Sequence, residues 1–134
     1  MDFWTAKPVY EVGRSHVNYV VADTKQWEQA AAYRIDTHPH VAAFVKNQGL
    51  GFGIPYLHNG EPHDYLPDFI VRLDNGVQLI LETKGYDELE EVKAAAARRW
   101  VDAVNAEGSF GEWRYAVTHS VGAIPEVLDA ASGR

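Results

Sequence analysis

The stretch that decides the fold is YLPDFIVRLDNGVQLILETKG, residues 65–85. Its apolar runs, residues 69–73 and 77–82, flank the tripeptide Asp74-Asn75-Gly76. Glycine adopts a positive φ without a steric penalty, so the tripeptide predicts a three-residue hairpin loop with Gly76 in the left-handed conformation. The stretch therefore predicts two antiparallel strands joined by a tight turn.

The register of this hairpin follows from its residue types. With a three-residue loop, the pairs on one face are all apolar, namely Leu73–Val77, Val71–Leu79 and Phe69–Leu81. The pairs on the opposite face are Arg72–Gln78, Ile70–Ile80 and Asp68–Glu82. A two-residue turn at Asn75-Gly76 is the competing register, and it would put polar side chains on both faces. Because a one-residue slip spoils a buried face, the first register is favoured.

This register brings Asp68 opposite Glu82, with Lys84 pointing the same way as Glu82. Directly opposed residues have Cβ atoms roughly 4.5–5.5 Å apart, and two carboxylates that close repel unless a proton or cation lies between them. Mg²⁺ prefers oxygen ligands, commonly one or two carboxylates and phosphate oxygens. The pattern therefore predicts a site for attack on a phosphodiester by a metal-activated water. A solvated strand face is the alternative interpretation.

Pro67-Asp68, a hairpin and then Glu82-Thr83-Lys84 resemble the signature of the PD-(D/E)XK nuclease superfamily. With its flanks, the stretch is similar to the C-terminal endonuclease domain of the type III restriction enzyme Res subunit. Further positions that look like this family are Lys93, Trp100, Val104-Asn105, Trp113 and Tyr115. The resemblance covers residues 15–119.

The resemblance implies an α/β fold with a restriction-endonuclease-like core, in which a mixed β-sheet is flanked by helices. It also implies a Mg²⁺-dependent endonuclease, with Mn²⁺ as a substitute, that leaves a 5′-phosphate and a 3′-hydroxyl. Asp68 and Glu82 would hold the metal, with the Thr83 carbonyl as a further ligand. Lys84 would orient or help deprotonate the attacking water and offset charge on the phosphate.

In many members of the superfamily a glutamate on the first helix points into the site, and Glu28 is the candidate here. A solvent-facing glutamate is the alternative, since Glu is a good helix former. The candidates for weak contact with the DNA backbone are Arg98, Arg99, Lys93 and Tyr65. The alternative for Arg98 and Arg99 is an exposed helix face, for Lys93 a side chain that snorkels to solvent, and for Tyr65 packing in the core.

Composition bounds the class of protein. The chain has 134 residues, 46% of them hydrophobic, which suits one domain spanning residues 1–134. It has no cysteine, which excludes disulfides and thiolate zinc sites. The spacing of its six histidines matches no helical i, i+4 pair, which argues against a metal-binding domain built on histidine. Neither a signal peptide nor an apolar run of roughly 20 residues is evident, so we expect no membrane association.

The net charge of −7 argues against a stand-alone DNA-binding domain, because such domains usually carry a basic face. The sequence has no G-x-x-x-x-G-K-[ST] motif and so encodes no ATPase. Type III restriction subunits carry a helicase-like motor, so the resemblance implies a module of a larger helicase-nuclease subunit in a prokaryotic cytoplasm. Its expected partners are double-stranded DNA, the motor domain and the modification subunits. A dimer of the chain is also possible. The rival hypothesis is a catalytically silent nuclease-fold module that docks DNA or partner subunits.

Hydrophobic periodicity and turn residues predict the remaining elements. The predicted helices cover residues 24–36, 40–47, 87–107 and 124–131. The predicted strands lie within residues 3–21 and at 52–58 and 112–118, with a turn at 59–62. The strand–helix–strand order after the hairpin predicts a parallel crossover connection.

Overall fold

A computed structural model of the protein describes residues 23–47, 50–83 and 88–133. The described helices are α1 (Asp23–Asp36), α2 (Glu90–Glu107) and α3 (Ile124–Ala131). The described strands are β1 (Val41–Lys46), β2 (Ile54–His58), β3 (Glu61–Tyr65), β4 (Phe69–Leu73), β5 (Gln78–Glu82) and β6 (Trp113–Val117). The strands predicted within residues 3–21 lie outside the described residues, as does Lys84. In these three ranges no helix is long and apolar enough to cross a membrane.

The hairpin of β4 and β5 has the predicted register. Its pairs are Phe69–Leu81, Ile70–Ile80, Val71–Leu79 and Arg72–Gln78. Gly76 has a φ of 90°, and the Leu73 amide donates to the Val77 carbonyl at 2.9 Å, which closes the three-residue loop. A local turn signal and a buried apolar face agree on one register, and the competing two-residue turn is excluded.

Among the described residues, four strands form a mixed sheet around this hairpin, in the order β1-β4-β5-β6. β1 is antiparallel to β4, and β6 is parallel to β5. The connection from β5 to β6 runs through α2, which confirms the predicted parallel crossover. The α2 and α3 helices confirm the helices predicted for these parts of the chain.

Both faces of the sheet are covered. One face packs against α1 and α3, through residues that include Ala31, Ile35 and Leu128. All six apolar residues of the predicted apolar stripe lie in this cluster. The opposite face carries Ile70 and Ile80 and packs against α2 and the β2–β3 hairpin. The fold is therefore a mixed sheet flanked by helices, as expected.

The prediction of a helix at residues 40–47 is wrong, because this segment forms β1, a strand of the sheet that pairs with β4. Its β-branched and aromatic residues favour a strand, and hydrogen bonds to β4 outweigh the helix preference of Ala42 and Ala43. The alternation of a strand therefore decides which way each side chain of this segment points.

The strand predicted at residues 52–58 exists as β2, but it pairs with β3 in a separate two-stranded sheet. Asn59 and Gly60 form the turn, with φ values of 55° and 80°. Two consecutive positive φ values are the geometry of a two-residue hairpin turn. Glu61 and Pro62, which were predicted to lie in the turn, begin β3.

Candidate active site

Asp68 is fixed at the end of the central hairpin. It lies directly before β4, and Thr83 lies directly after β5. One oxygen of Asp68, Oδ2, accepts a hydrogen bond from the Thr83 amide at 3.0 Å and another from the Thr83 hydroxyl at 2.9 Å. Since Thr83 is fully buried and its donors are held by the chain, the orientation of the Asp68 carboxylate is set by the fold.

The Thr83 carbonyl, predicted as a further metal ligand, already has a partner. The indole Nε1 of Trp27 on α1 donates to this carbonyl oxygen at 3.0 Å and lies 3.4 Å from the Thr83 hydroxyl. A carbonyl oxygen has two lone pairs, so one acceptor position remains after this bond is made. The contact also joins α1 to the end of β5.

A cavity of about 260 Å³ opens beside Asp68. The residues that line it come from α1, the end of β1 and the segment before β4, and they are Glu28, Lys46, Asn47, Leu66, Pro67, Asp68 and Phe69. Glu28, the candidate on the first helix, thus lies on the same cavity as Asp68. Elements distant in sequence therefore bring two carboxylates to one concave surface.

Lys46, which no sequence motif indicates, is the one cation among the described residues that line this cavity. Its ammonium group lies 3.0 Å from Oε1 of Glu28, and the two side chains are 26% and 24% exposed. The position of Lys46 was not predicted because residues 40–47 were assigned to a helix. A strand would have placed Lys46 on the same face as Phe44, toward α1.

Asn47 holds the segment that leads into Asp68. The side chain is buried, and its Nδ2 donates to the carbonyls of Phe52 and Pro67 at 2.8 Å and 2.9 Å. Its Oδ1 accepts from the Phe52 amide at 3.0 Å, and its own amide donates to the Asp68 carbonyl at 2.9 Å. Asn47 therefore connects three chain segments at the rim of the cavity. No local sequence pattern predicts this role.

Glu82 follows Leu81, whose partner in the hairpin is Phe69, so it ends β5 where Asp68 precedes β4. Its Oε1 accepts a hydrogen bond from the hydroxyl of Tyr65 at 3.0 Å. That hydroxyl lies 3.1 Å from the hydroxyl of Tyr115 on β6. The carboxylates of Asp68 and Glu82 thus end neighbouring strands but have different hydrogen-bond partners.

Tyr65, a candidate for DNA contact, is only 3% exposed. Burial is the largest cause that raises its pKa above the usual value, followed by the negative charge of Glu82. Burial likewise raises the pKa of Tyr115, against the lowering effect of its hydrogen bond with Tyr65. Both hydroxyls therefore keep their protons at neutral pH and remain hydrogen-bond donors.

The cationic candidates lie on α2, above these tyrosines. The Lys93 ammonium is 5.7 Å from the centre of the Tyr65 ring, and the Arg98 guanidinium is 5.7 Å from the centre of the Tyr115 ring. Arg98 and Arg99 are exposed. A cation over an aromatic face is attracted by the ring electrons, so Lys93 and Arg98 also cover the tyrosine pair.

The donor set beside the cavity consists of carboxylate and carbonyl oxygens, which are the ligands that Mg²⁺ prefers. In the described part of the chain, Oδ1 of Asp68 accepts no hydrogen bond and is available as a ligand. Within the same ranges, no group of three or more His, Cys, Asp or Glu side chains is arranged to hold a metal ion. The oxygen donors fit a hard cation held by few protein ligands.

Comparisons of the chain with protein-family models, with curated proteins and with solved structures found no match.

Proposed function

We propose that this chain is a Mg²⁺-dependent DNA endonuclease domain of the type III restriction enzyme kind, with a PD-(D/E)XK site on a restriction-endonuclease-like core. The observation that carries the proposal is the register of the β4–β5 hairpin. In that register Asp68 directly precedes β4 and Glu82 ends the neighbouring strand β5, which is the arrangement that the proposed two-carboxylate site requires.

The surrounding architecture supports the same proposal. A mixed sheet with helices on both faces and a parallel crossover after the hairpin is the core that the resemblance implies. The first of the described helices, α1, contributes Glu28 to the cavity that Asp68 lines, and the resemblance predicts a helical glutamate in the site. The hairpin register and the position of Glu28 on the cavity that Asp68 lines therefore both support the proposal.

Asp68 and Glu82 would hold Mg²⁺ through their carboxylate oxygens, and the Thr83 carbonyl would contribute its remaining lone pair. A bound Mg²⁺ would lower the pKa of a coordinated water and offset negative charge on the phosphate. Thr83 keeps the Asp68 carboxylate in a fixed orientation through its two hydrogen bonds. Preorganised donors of this kind cost no reorganisation at the moment of reaction.

The basic residues act on the phosphodiester. Lys84 would orient the attacking water and stabilise charge on the phosphate, the role that the resemblance gives it. Lys46 keeps Glu28 neutralised in the cavity and adds a positive charge within reach of a phosphate bound there. A surface with a net charge of −7 gives little attraction for DNA, so we propose weak cleavage by the chain alone and stronger cleavage beside a motor domain.

Cleavage of a supercoiled plasmid tests the proposal. We expect the chain to nick or linearise the plasmid in Mg²⁺ or Mn²⁺, and chelation with EDTA to stop it. Lys84→Ala and Asp68→Asn should abolish cleavage. The matched controls, Arg34→Ala and Asp102→Asn, change exposed charges on α1 and α2 and should cleave as the unaltered chain does.

Equal cleavage by Lys84→Ala and the unaltered chain would contradict the proposed role of Lys84. The second candidate function is a silent module that docks DNA or partner subunits. The acidic net charge favours the docking of partner subunits over the docking of DNA. A folded chain that cleaves no plasmid in either metal, even at high enzyme concentration, would support this second function and overturn the first.

A further inference from the structure

Three strands meet at the carboxylate of Glu82. Tyr65 comes from β3, Tyr115 from β6 and Glu82 from β5, so chain segments far apart in sequence converge at one point. The Tyr65 hydroxyl lies 3.0 Å from Oε1 of Glu82 and 3.1 Å from the Tyr115 hydroxyl. The two tyrosine rings meet edge to face, with their centres 6.4 Å apart.

The direction of these hydrogen bonds follows from the groups involved. An ionised carboxylate can only accept, and a tyrosine hydroxyl has one hydrogen to donate. The hydrogen of Tyr65 therefore goes to Glu82, and Tyr115 must donate its own hydrogen to the oxygen of Tyr65. The result is a directed chain from Tyr115 through Tyr65 to Glu82, in which each bond polarises the next.

Tyr65 is part of the core, and Tyr115 is partly buried against the same cluster. Tyr65 is 3% exposed and packs in the cluster that joins α2, the β2–β3 hairpin and the sheet. Lys93 and Arg98 lie over the two rings on the side of α2. A buried tyrosine has few rotamers available, so its hydroxyl presents one fixed donor to Glu82.

We propose that Tyr65 is a positioning residue, which holds the Glu82 carboxylate in the orientation needed to bind a divalent cation, and that Tyr115 holds Tyr65. This inference rests on the proposed function, because that function assigns Glu82 to the metal. Carboxylates that bind metals are commonly fixed by hydrogen bonds from outside the ligand set, and removing such a partner typically weakens metal affinity about 10- to 100-fold.

Titration of the metal-free chain with Mn²⁺ alone, followed by calorimetry, tests the inference without any substrate. Tyr65→Phe removes only the hydroxyl and should weaken Mn²⁺ affinity about 10- to 100-fold. Tyr115→Phe should weaken it less, because Tyr65 then keeps its bond to Glu82. The matched control is Tyr56→Phe, which removes a hydroxyl from β2 in the same cluster and should leave the affinity unchanged. Circular dichroism reports whether each variant is folded.

A folded Tyr65→Phe variant that binds Mn²⁺ as tightly as the unaltered chain would overturn the inference and leave the proposed function standing. A folded, unaltered chain that binds no Mn²⁺ would overturn the proposed function, and this inference with it. If Tyr65→Phe does not fold, Tyr115→Phe decides the matter: weakened binding supports the inference, and unchanged binding overturns it.

Discussion

Thr83 donates two hydrogen bonds to a single oxygen of Asp68, from its amide at 3.0 Å and from its hydroxyl at 2.9 Å. The two residues belong to the opposite ends of the hairpin segment, so this contact closes the ladder beyond its last paired residues. Hydrogen bonds to an ionised group are stronger than those between neutral groups. The middle residue of the Glu-x-Lys segment thus has a structural task of its own.

Thr83→Val should destabilise the fold and disturb the site together. Valine keeps the shape and the amide donor but removes the hydroxyl, so one charge-assisted bond is lost. A net loss of roughly 1.5–3 kcal/mol in the free energy of unfolding is expected for a bond to a charged group. Urea denaturation measures this loss, and plasmid cleavage should fall because Asp68 is held less firmly.

The matched control for Thr83 is Thr37→Val. The Thr37 hydroxyl donates to the Tyr33 carbonyl at 2.9 Å, but this bond is exposed and joins neutral groups. Its loss should cost less than about 1 kcal/mol and leave cleavage intact. Equal losses of stability in the two variants would argue that the Thr83–Asp68 bond has no special strength.

Glu28→Gln should separate a role in cleavage from a role in stability. Glutamine keeps an acceptor for Lys46 but removes the negative charge from the cavity. Both partners of the ion pair are about a quarter exposed, and glutamine keeps an acceptor for Lys46. The free energy of unfolding should therefore change by only about 1 kcal/mol or less. Cleavage should fall about 10-fold or more if Glu28 supports the metal.

The control for Glu28 is Glu126→Gln, an exposed glutamate in the first turn of α3. This variant should cleave the plasmid at the rate of the unaltered chain. Cleavage by Glu28→Gln at that same rate would show that Glu28 is a helical glutamate without a part in the reaction.

The stability of the fold should decrease at alkaline pH because the hydroxyl of Tyr65 is buried. Its pKa is raised in the folded state, chiefly by burial and then by the charge of Glu82, while the pKa of an unfolded tyrosine is about 10. Above that pH the unfolded chain loses a proton that the folded chain keeps, so stability falls as pH rises. The contribution of Tyr65 is fully present below the unfolded value.

Melting temperatures measured from about pH 8 to 11 test this sign. Tyr65→Phe should lose less stability over the alkaline part of that range than the unaltered chain does. Tyr33→Phe, at a position that is 53% exposed, should follow the unaltered chain. A steeper alkaline loss in Tyr65→Phe would contradict the assignment of a protonated, buried hydroxyl.

The hairpin was predictable because its signals are local. The glycine of the loop and the apolar alternation of both strands lie within residues 65–85, and they specify one register without knowledge of the rest of the chain. The same holds for α3, where Ile124-Pro125 marks the first turn of a short apolar helix. Where the local preferences and the tertiary contacts agree, the sequence is sufficient.

The segment of β1 shows where such reasoning fails. Residues 41–46 read VAAFVK, a run too short for its period to separate a helix from a buried strand. Its conformation is decided by pairing with β4, which is a long-range contact. Because the strand was not predicted, the positions of Lys46 and Asn47 on the cavity were not predicted either. Both positions depend on the pairing of β1 with β4.

The candidate site was predictable in part for a related reason. Asp68 and Glu82 flank a short hairpin whose register the sequence predicts, and this register places them at the ends of neighbouring strands. Glu28 came from the resemblance to a nuclease family. The contacts of Trp27, Tyr65 and Tyr115 with the site join elements far apart in sequence, and no spacing rule reports them.

Asn47→Ala should remove the side-chain hydrogen bonds that hold the segment with Pro67 and Asp68 in place. The buried amide makes three side-chain hydrogen bonds, to the Phe52 carbonyl, the Pro67 carbonyl and the Phe52 amide. Alanine leaves those backbone groups without their partner. The bond to the Pro67 carbonyl is buried, and a buried group left unpaired costs about 1–3 kcal/mol, whereas the two bonds to Phe52 are only partly buried and their loss costs less. A loss of about 2–3 kcal/mol in unfolding free energy is expected, together with weaker Mn²⁺ binding and slower cleavage at a temperature where the variant is folded.

Asn105→Ala provides the comparison, because Asn105 makes the same kind of clamp at the opposite end of the sheet. Its Nδ2 donates to the Trp113 carbonyl at 2.9 Å, and its Oδ1 accepts from the Trp113 amide at 2.8 Å. Trp113 pairs with Gln78 at the start of β5, whereas the site lies at the end of that strand. Asn105→Ala should therefore lose stability but keep Mn²⁺ affinity and cleavage. If both variants lost cleavage in proportion to stability, Asn47 would be a structural residue only, and the cavity beside Asp68 would not depend on it for its chemistry.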